Sequence, residues 1–241
     1  MDKKTLITEN AYGEDKSSLN YWKNNRNKFN DLYPSEKHFL YPALKLSKLV
    51  LDVGCAAGGS FNFCKEVNSS INYTGIDISK SLIDIAKKLY PKGTFIKYNG
   101  HQIIFKKDMF DLVFSIGVLH HLRHWRSMIK QSVQCSSNLI IFDVRLTPNN
   151  TIDNSQKYYQ KIIFNNKLNS DVAIPYLVIN IDSFVKFIEE CFGSGNFRVE
   201  SYGYYSKPTP LVNIPYKKVF MCCIKIEKNS KSPGIFVDFT D

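Results

Sequence analysis

The stretch LVLDVGCAAGGS, residues 49–60, is an apolar run that breaks into small residues, with an acid, Asp52, two positions before its first glycine. Leu49, Val50, Leu51 and Val53 read as a strand. The glycines and alanines after them read as a tight strand-to-helix turn that brings backbone close to a ligand. Outward from this point, residues 48 to 146 alternate short apolar runs with helical periodicity, the pattern of βαβ units feeding a parallel sheet. The strands read KLVLDVG (48–54), NYTGIDI (72–78), TFIKYNG (94–100), FDLVFSI (110–116) and NLIIFDV (138–144), apolar enough to be covered by helices on both faces.

Ser79 is placed to cap a helix whose Leu82, Ile85, Ala86 and Leu89 share one face, and a second helix from about His121 to Gln134 turns Leu122, Trp125, Ile129 and Val133 inward. The segment 147–180 loses this rhythm. It is polar, Asn-rich and aromatic, the composition of a lid or binding loop. Asp182 then opens a helix with Phe184, Phe187, Ile188 and Cys191 on one face. FRVESYGYY (197–205) and KVFMCCIKIE (218–227), joined by a loop too short for a covering helix, should be antiparallel strands. Before the sheet, residues 21–44 carry two candidate helices, the second opened by Pro34. The organisation expected is an N-terminal helical cap (1–47), a catalytic domain (48–228) with 147–180 as a substrate cover, and a tail (229–241) ending in a few apolar residues that suit an edge strand or a docking segment.

Gly54, Ala56 and Gly59 satisfy a loose G-x-[GA]-x-x-G, and Asp77 ends the next strand, so a dinucleotide site fits formally. Asp52 argues otherwise. A carboxylate there would repel a pyrophosphate and attract a ligand bearing an ammonium and a sulfonium, as S-adenosylmethionine does. The remaining reading is a local cap and a tight turn with no ligand.

From about Lys48 to Ile226 the chain resembles class I S-adenosylmethionine-dependent methyltransferases. LDVGCAAG resembles their first motif, with Ala56 where a glycine is more usual. GIDIS resembles the second, ending in the ribose-binding acid. FIKYNGHQIIF lies where many members carry an adenine-binding aspartate, here Asn99. FDLVFSIGVLHHL resembles the fourth-strand signature of small, free-standing members. The resemblance implies a Rossmann-like α/β fold with a seven-stranded sheet of order 3-2-1-4-5-7-6, strand 7 antiparallel and helices on both faces. It also implies that Asp52, Gly54, Cys55, Ala56, Gly58, Asp77, Ile78, Asn99, Gly100 and Ser115 hold the cofactor. No metal is expected: His120 and His124 stand at i, i+4, but the Glu of H-E-x-x-H is missing.

Methyl transfer needs an aligned acceptor and, for some acceptors, a base. His120 and His121 follow the fourth strand at a helix start, where an imidazole stays neutral, and serve either as a base or in shaping the cofactor loop. Asp143, Arg145, Tyr158 and Tyr159 are placed to meet an acceptor, and Arg145 suits a carboxylate or phosphate; local salt bridging is their other reading. Tyr21, Trp22 and Arg26 belong either to a flap over the cofactor, from which Tyr21 and Arg26 would meet the substrate, or to packing.

The net charge of +10 admits an acidic partner, but only five of the 32 basic residues are Arg and the Lys are scattered. No CxxC pair, signal-type h-region or run near the ~20 residues of a membrane span is present, which suits a reducing cytoplasm. The reading favoured is methylation of an O or N atom of a small metabolite or saccharide. RNA methylation and non-catalytic cofactor binding are the alternatives. No [DNS]PP[YF] follows the fourth strand, and no Pro-Cys nucleophile is present.

Overall fold

Asp111 shows how the first strand of the domain is started: its carboxylate accepts from the backbone N–H groups of both Lys48 and Leu49, at 2.8 and 2.9 Å. The computed structural model describes residues 6–8, 26–154, 156–164 and 167–239. In chain order the elements are β1 (Leu6–Ile7), α1 (Pro34–Leu46), β2 (Leu49–Val53), α2 (Ser60–Val67), β3 (Asn72–Asp77), α3 (Lys80–Leu89), β4 (Thr94–Lys97), β5 (Phe110–Ser115) and α4 (Trp125–Cys135). There follow β6 (Ser136–Thr147), β7 (Tyr159–Phe164), β8 (Lys167–Pro175), β9 (Ile179–Asn180), α5 (Ile181–Phe192), β10 (Phe197–Ser206), β11 (Val212–Asn213), β12 (Val219–Lys228) and β13 (Gly234–Phe236).

The main sheet runs β13-β10-β12-β6-β5-β2-β3-β4. Its strands β4 to β10 reproduce the expected 3-2-1-4-5-7-6 order, with β12 antiparallel to both β6 and β10. It has nine strands rather than seven, because the tail adds β13 in parallel to β10 and β9 pairs with the end of β6. One face is packed by α1, α2 and α3 through Leu40, Leu44, Phe63, Cys64, Ile83 and Ala86. The other is packed by α4 and α5 through Trp125, Met128, Ile129, Phe184, Phe187 and Ile188. Burial of such side chains is worth roughly 1.5–3 kcal/mol each, which is why the uniformly apolar strands lie between two helical layers.

Several local expectations are corrected. The segment 147–180 is not a loop: it forms the β7–β8 hairpin and β9, and β7 and β8 join β1 and β11 in a second sheet of order β1-β8-β7-β11. A hairpin alone is marginal in water, and β1 and β11 complete it from distant parts of the chain. α4 begins at Trp125; His120 and His121 lie in a separate 3-10 turn, Leu119–His121, so neither histidine stands at the start of α4. α5 is capped by Asn180, whose side chain accepts from Ser183 N–H, rather than by Asp182. On α3 the buried face is Leu82, Ile83 and Ala86, and Leu89 is exposed. Of the first of the two candidate helices before the sheet, the described part holds only the 3-10 turn Phe29–Asp31; Tyr21 and Trp22 lie outside the described residues.

Candidate active site

A cleft of about 450 Å³ opens at the carboxyl ends of β2, β3, β5 and β6. Gly54 and Ala56 form one lip. Gly54 has φ +87°, and a Cβ built on it would lie 2.4 Å from Val118 Cγ2, so glycine is required both by the backbone and by the turn packed over it. Ala56 also has a positive φ, +47°, and its N–H donates to Asp77 Oδ2 at 2.9 Å. Asp77 Oδ1 accepts from Ser79 N–H at 2.8 Å. One carboxylate therefore ties the glycine turn to the start of α3 at the cleft's edge, and burial raises its pKa.

Asp52 sits beneath the turn, beside a smaller cavity of about 40 Å³ that Arg26, Gly54, Ala56, Ser60 and Ile116 also line. The Tyr73 hydroxyl donates to Asp52 Oδ2 at 2.6 Å. Burial nevertheless pushes the Asp52 carboxyl up to about 7, against the stabilising hydroxyls of Tyr73 and Ser60. A cation beside Asp52 would favour its ionised form.

Ile78 lines the cleft, and Gly100, with φ +82°, passes close beneath it. Other expected cofactor residues lie elsewhere. The Asn99 side chain, exposed, accepts from the N–H groups of His101 and Gln102, both at 2.9 Å, so it holds its own loop and its oxygen is not turned to the cleft. Tyr98, buried one position earlier, lines the cleft instead. Ser115 donates to Val53 O at 2.9 Å and ties β5 to β2. Gly58 is needed for packing: a Cβ there would meet Phe95 at 2.7 Å. Cys55 contributes backbone to the turn, but its thiol lies against Gly75.

The second half of the cleft is lined by His120, His121, Arg145, Gln160, Ile174, Tyr176, Tyr204 and Met221. His121 Nδ1 is 2.6 Å from Pro175 O. A carbonyl only accepts, so Nδ1 carries the proton and Nε2 the lone pair. Burial lowers the His121 pKa to about 4, and holds that of His120 well below the usual value as well. His120 packs against Tyr176, and its Nδ1 is buried with no hydrogen-bond partner among the described residues. Its backbone carbonyl accepts from Leu177 N–H at 2.7 Å, which fixes the histidine turn to the segment after β8.

Arg145 and Asp143, expected to meet an acceptor, are brought together in the floor. Arg145 Nη1 donates to Asp143 Oδ2 at 2.8 Å, and Gly117 N–H donates to Asp143 Oδ1 at 2.7 Å. Asp143 is thus fully engaged and does not line the cleft, whereas Arg145 does. Burial works against the Arg145 charge, but Asp143, Tyr176 and Glu36 more than offset it. Tyr158 packs in a separate apolar cluster with Ile152, Tyr176 and Val219. Tyr159 is also away from the cleft. Its neighbour Gln160 lines it, since alternate residues of a strand face opposite ways. The missed residues Tyr98 and Gln160 each stand one position from an expected one. Tyr73 shares the strand face of Asp77, a period-2 relation visible in the sequence.

His124 Nε2 donates to Gly100 O, 2.6 Å away, and no group of three or more metal-type ligands occurs among the described residues. No described helix is long and apolar enough to cross a membrane.

A central sheet in this order, with a glycine turn after its first strand and an acid after its second, defines the class I methyltransferase fold. Residues 51–137 match the family model described as methyltransferase domain, and the chain carries that domain. The phthiotriol/phenolphthiotriol dimycocerosates methyltransferase of Mycobacterium tuberculosis is 28% identical over 89 residues, which cover 36% of this chain and 33% of that protein. An uncharacterized protein of Methanocaldococcus jannaschii is 33% identical over 95 residues, 39% of each chain. The chain thus spans about a third of the length of the first of these relatives. Among solved structures, the plantazolicin methyltransferase BpumL in complex with SAH aligns with a TM-score of 0.60 at 13% identity, covering 92% of this chain and 94% of that one. A SAM-dependent methyltransferase from Methanosarcina mazei aligns with a TM-score of 0.55 at 17% identity, covering 82% and 98%. At these identities the likeness is one of fold.

Proposed function

We propose that the protein is an S-adenosylmethionine-dependent methyltransferase acting on an O or N atom of a small metabolite or saccharide. The observation that carries this reading is the division of one cleft into two chemically distinct halves. Gly54, Ala56, Asp77, Ile78 and Tyr98 form one end, and the neutral His120–His121 pair with Arg145, Gln160 and Tyr176 forms the other. The residues fit the cofactor. Gly54 and Ala56 bring the backbone of the turn to the cleft's edge, Asp77 offers a carboxylate for ribose hydroxyls, and Asp52 offers a charge that a neighbouring ammonium would stabilise. When bound, S-adenosylmethionine supplies an electrophilic methyl group on a sulfonium.

The chain's own residues do the rest. His121, with its Nδ1 proton held by Pro175 O, offers Nε2 to an acceptor's proton, and the sheet β1-β8-β7-β11 covers the acceptor through Gln160 and Ile174. The limited volume and the walls of Tyr176, Tyr204, Val219 and Met221 favour a small or narrow acceptor over a duplex or a folded polymer. Incubation with methyl-labelled S-adenosylmethionine and a fractionated cell extract tests this reading. Label in the small-molecule fraction is expected. Label that nuclease releases would make RNA the acceptor, and no transfer to any fraction alongside tight cofactor binding would leave a binding protein.

A further inference from the structure

We infer that the methyl acceptor is a small molecule of net negative charge whose acid group is held by Arg145 on the floor of the cleft, apart from the atom that takes the methyl group. This rests on the methyltransferase reading of the site and adds the acceptor's chemical class to it.

The side chains of β6 alternate between two faces. Phe142, Val144 and Leu146 pack into the core with α4 and α5, while Ile141 packs with α1, so Asp143 and Arg145 share the face toward α1. Arg145 is only 6% exposed, and it lines the cleft. Burying a guanidinium and a carboxylate this far carries a large desolvation cost, and a pair kept only for stability is often replaced by apolar side chains without loss.

The ion pair leaves the guanidinium with more to offer. Asp143 gives Arg145 one oxygen, Oδ2, at 2.8 Å, while its other oxygen accepts from Gly117 N–H at 2.7 Å, so the fork is not met by a bidentate carboxylate. The Tyr176 hydroxyl oxygen also accepts from Arg145. The ring of Tyr176 then packs against His120 and His121, with centroids 5.3 and 5.9 Å apart. One tyrosine therefore spans the space from the guanidinium to the histidines. An acceptor lying along it would set its acid at Arg145 and a separate O or N atom at His121.

The charges around this half of the cleft select for an acid. Among the described residues the carboxylates that line the cleft are Asp31 and Asp77. Asp77 lies at the cofactor end, and Asp31 accepts from Lys28 N–H at 2.9 Å. Lys207 adds a second cation to the lining. An ammonium-bearing acceptor would meet Arg145 with no carboxylate placed to balance it, whereas an acid would be attracted, the more so between the walls of Tyr204, Val219 and Met221.

The test offers the wild-type protein, with methyl-labelled S-adenosylmethionine, the ultrafiltered small molecules of a cell extract split beforehand on a strong anion exchanger. Loading at about pH 8 leaves an unbound part, a wash at about pH 2 releases carboxylates as they lose their charge, and salt then releases phosphates and sulfates. Label should enter a bound part, and the part it enters tells a carboxylate from a phosphate or sulfate. Label in the unbound part, alone or in equal measure, would overturn the inference and leave a methyltransferase of neutral or cationic acceptors. Label in no part would end both readings. With the productive part as acceptor, the double variant Asp143→Asn, Arg145→Gln removes both charges and orphans neither. It should raise KM at least ~10-fold, with kcat and affinity for S-adenosylhomocysteine within about threefold of wild type. Arg145→Lys, which keeps a cation beside Asp143 and loses the fork, should raise KM by a smaller factor, and it decides the matter where the double variant does not fold. An unchanged KM in these variants, with loss confined to kcat or to cofactor affinity, would give the pair a structural role and overturn the assignment.

Discussion

Gly54→Ala isolates what the glycine turn requires, and its effect follows from two separate terms. The first is backbone: at φ +87° an L-residue costs roughly 1–2 kcal/mol, of which the reduced freedom of the unfolded chain adds back about 0.4–1 kcal/mol. The second is steric. The new Cβ would lie 2.4 Å from Val118 Cγ2, and overpacking of this degree costs about 1–3 kcal/mol. The sum is about 2–4 kcal/mol, and at ~2–4 °C per kcal/mol for a chain of this size the Tm should fall by about 5–15 °C. Val118 precedes the 3-10 turn of His120 and His121, so relief of the clash by moving Val118 should also weaken cofactor binding. Urea unfolding followed by tryptophan fluorescence, with S-adenosylhomocysteine titration alongside, measures both. The double variant Gly54→Ala, Val118→Ala removes the collision but not the backbone term. It should recover about 1–3 kcal/mol beyond the sum of the single effects. A Gly54→Ala protein of wild-type stability, or strict additivity in the double variant, would refute the packing described.

Four other outcomes follow from the site. Affinity for S-adenosylhomocysteine should rise with pH from 5 to about 7 and then level. The Asp52 carboxyl, raised to about 7 by burial among Tyr73, Ser60, Asp77 and Arg26, must lose its proton to meet the ammonium; Asp52→Asn should flatten this limb. In the ligand-free protein the sign for stability is opposite. Asp52 and Glu36, both near 7, keep protons the unfolded chain has released, so stability should fall as pH rises from about 4 to 7, as denaturation at stepped pH would reveal. Tyr73→Phe removes the hydroxyl that favours the Asp52 anion and should weaken binding at pH 7 by ~10-fold with little change at pH 9, whereas uniform weakening would assign Tyr73 to packing alone. For His121→Ala, kcat should drop ~100-fold with affinity for S-adenosylhomocysteine held within about threefold. The wild-type rate should show its His121 limb near pH 4, so a limb near 6.5 that the substitution abolishes would contradict a buried neutral imidazole.

What the sequence by itself determined is the part written in local, short-period signals. The alternation of apolar runs and helical faces fixes five parallel strands and their helices. The break LVLDVGCAAGGS fixes the turn, and Asp77 at the end of the next strand fixes its acid partner, because strand exit and turn chemistry depend on neighbours along the chain. Asp52, Gly54, Ala56, Asp77, Ile78, His120 and His121 come together for that reason.

Only the tertiary structure decided what depends on pairing across distance. Residues 159–175 have too little apolar patterning to announce strands, yet they form a hairpin because Leu6–Ile7 and Val212–Asn213 lend it edges. Asn99 had the right position for an adenine contact, but its side chain is consumed by the two N–H groups that follow it, and Tyr98 takes the wall. Asp143 is removed from the acceptor by Gly117 and Arg145, and Arg26 is brought to Asp52 by its ion pair with Glu36. A hydrogen bond or ion pair between distant residues leaves no periodic trace in the chain. The direction each polar side chain takes is set by which partner is nearest once the sheet has closed.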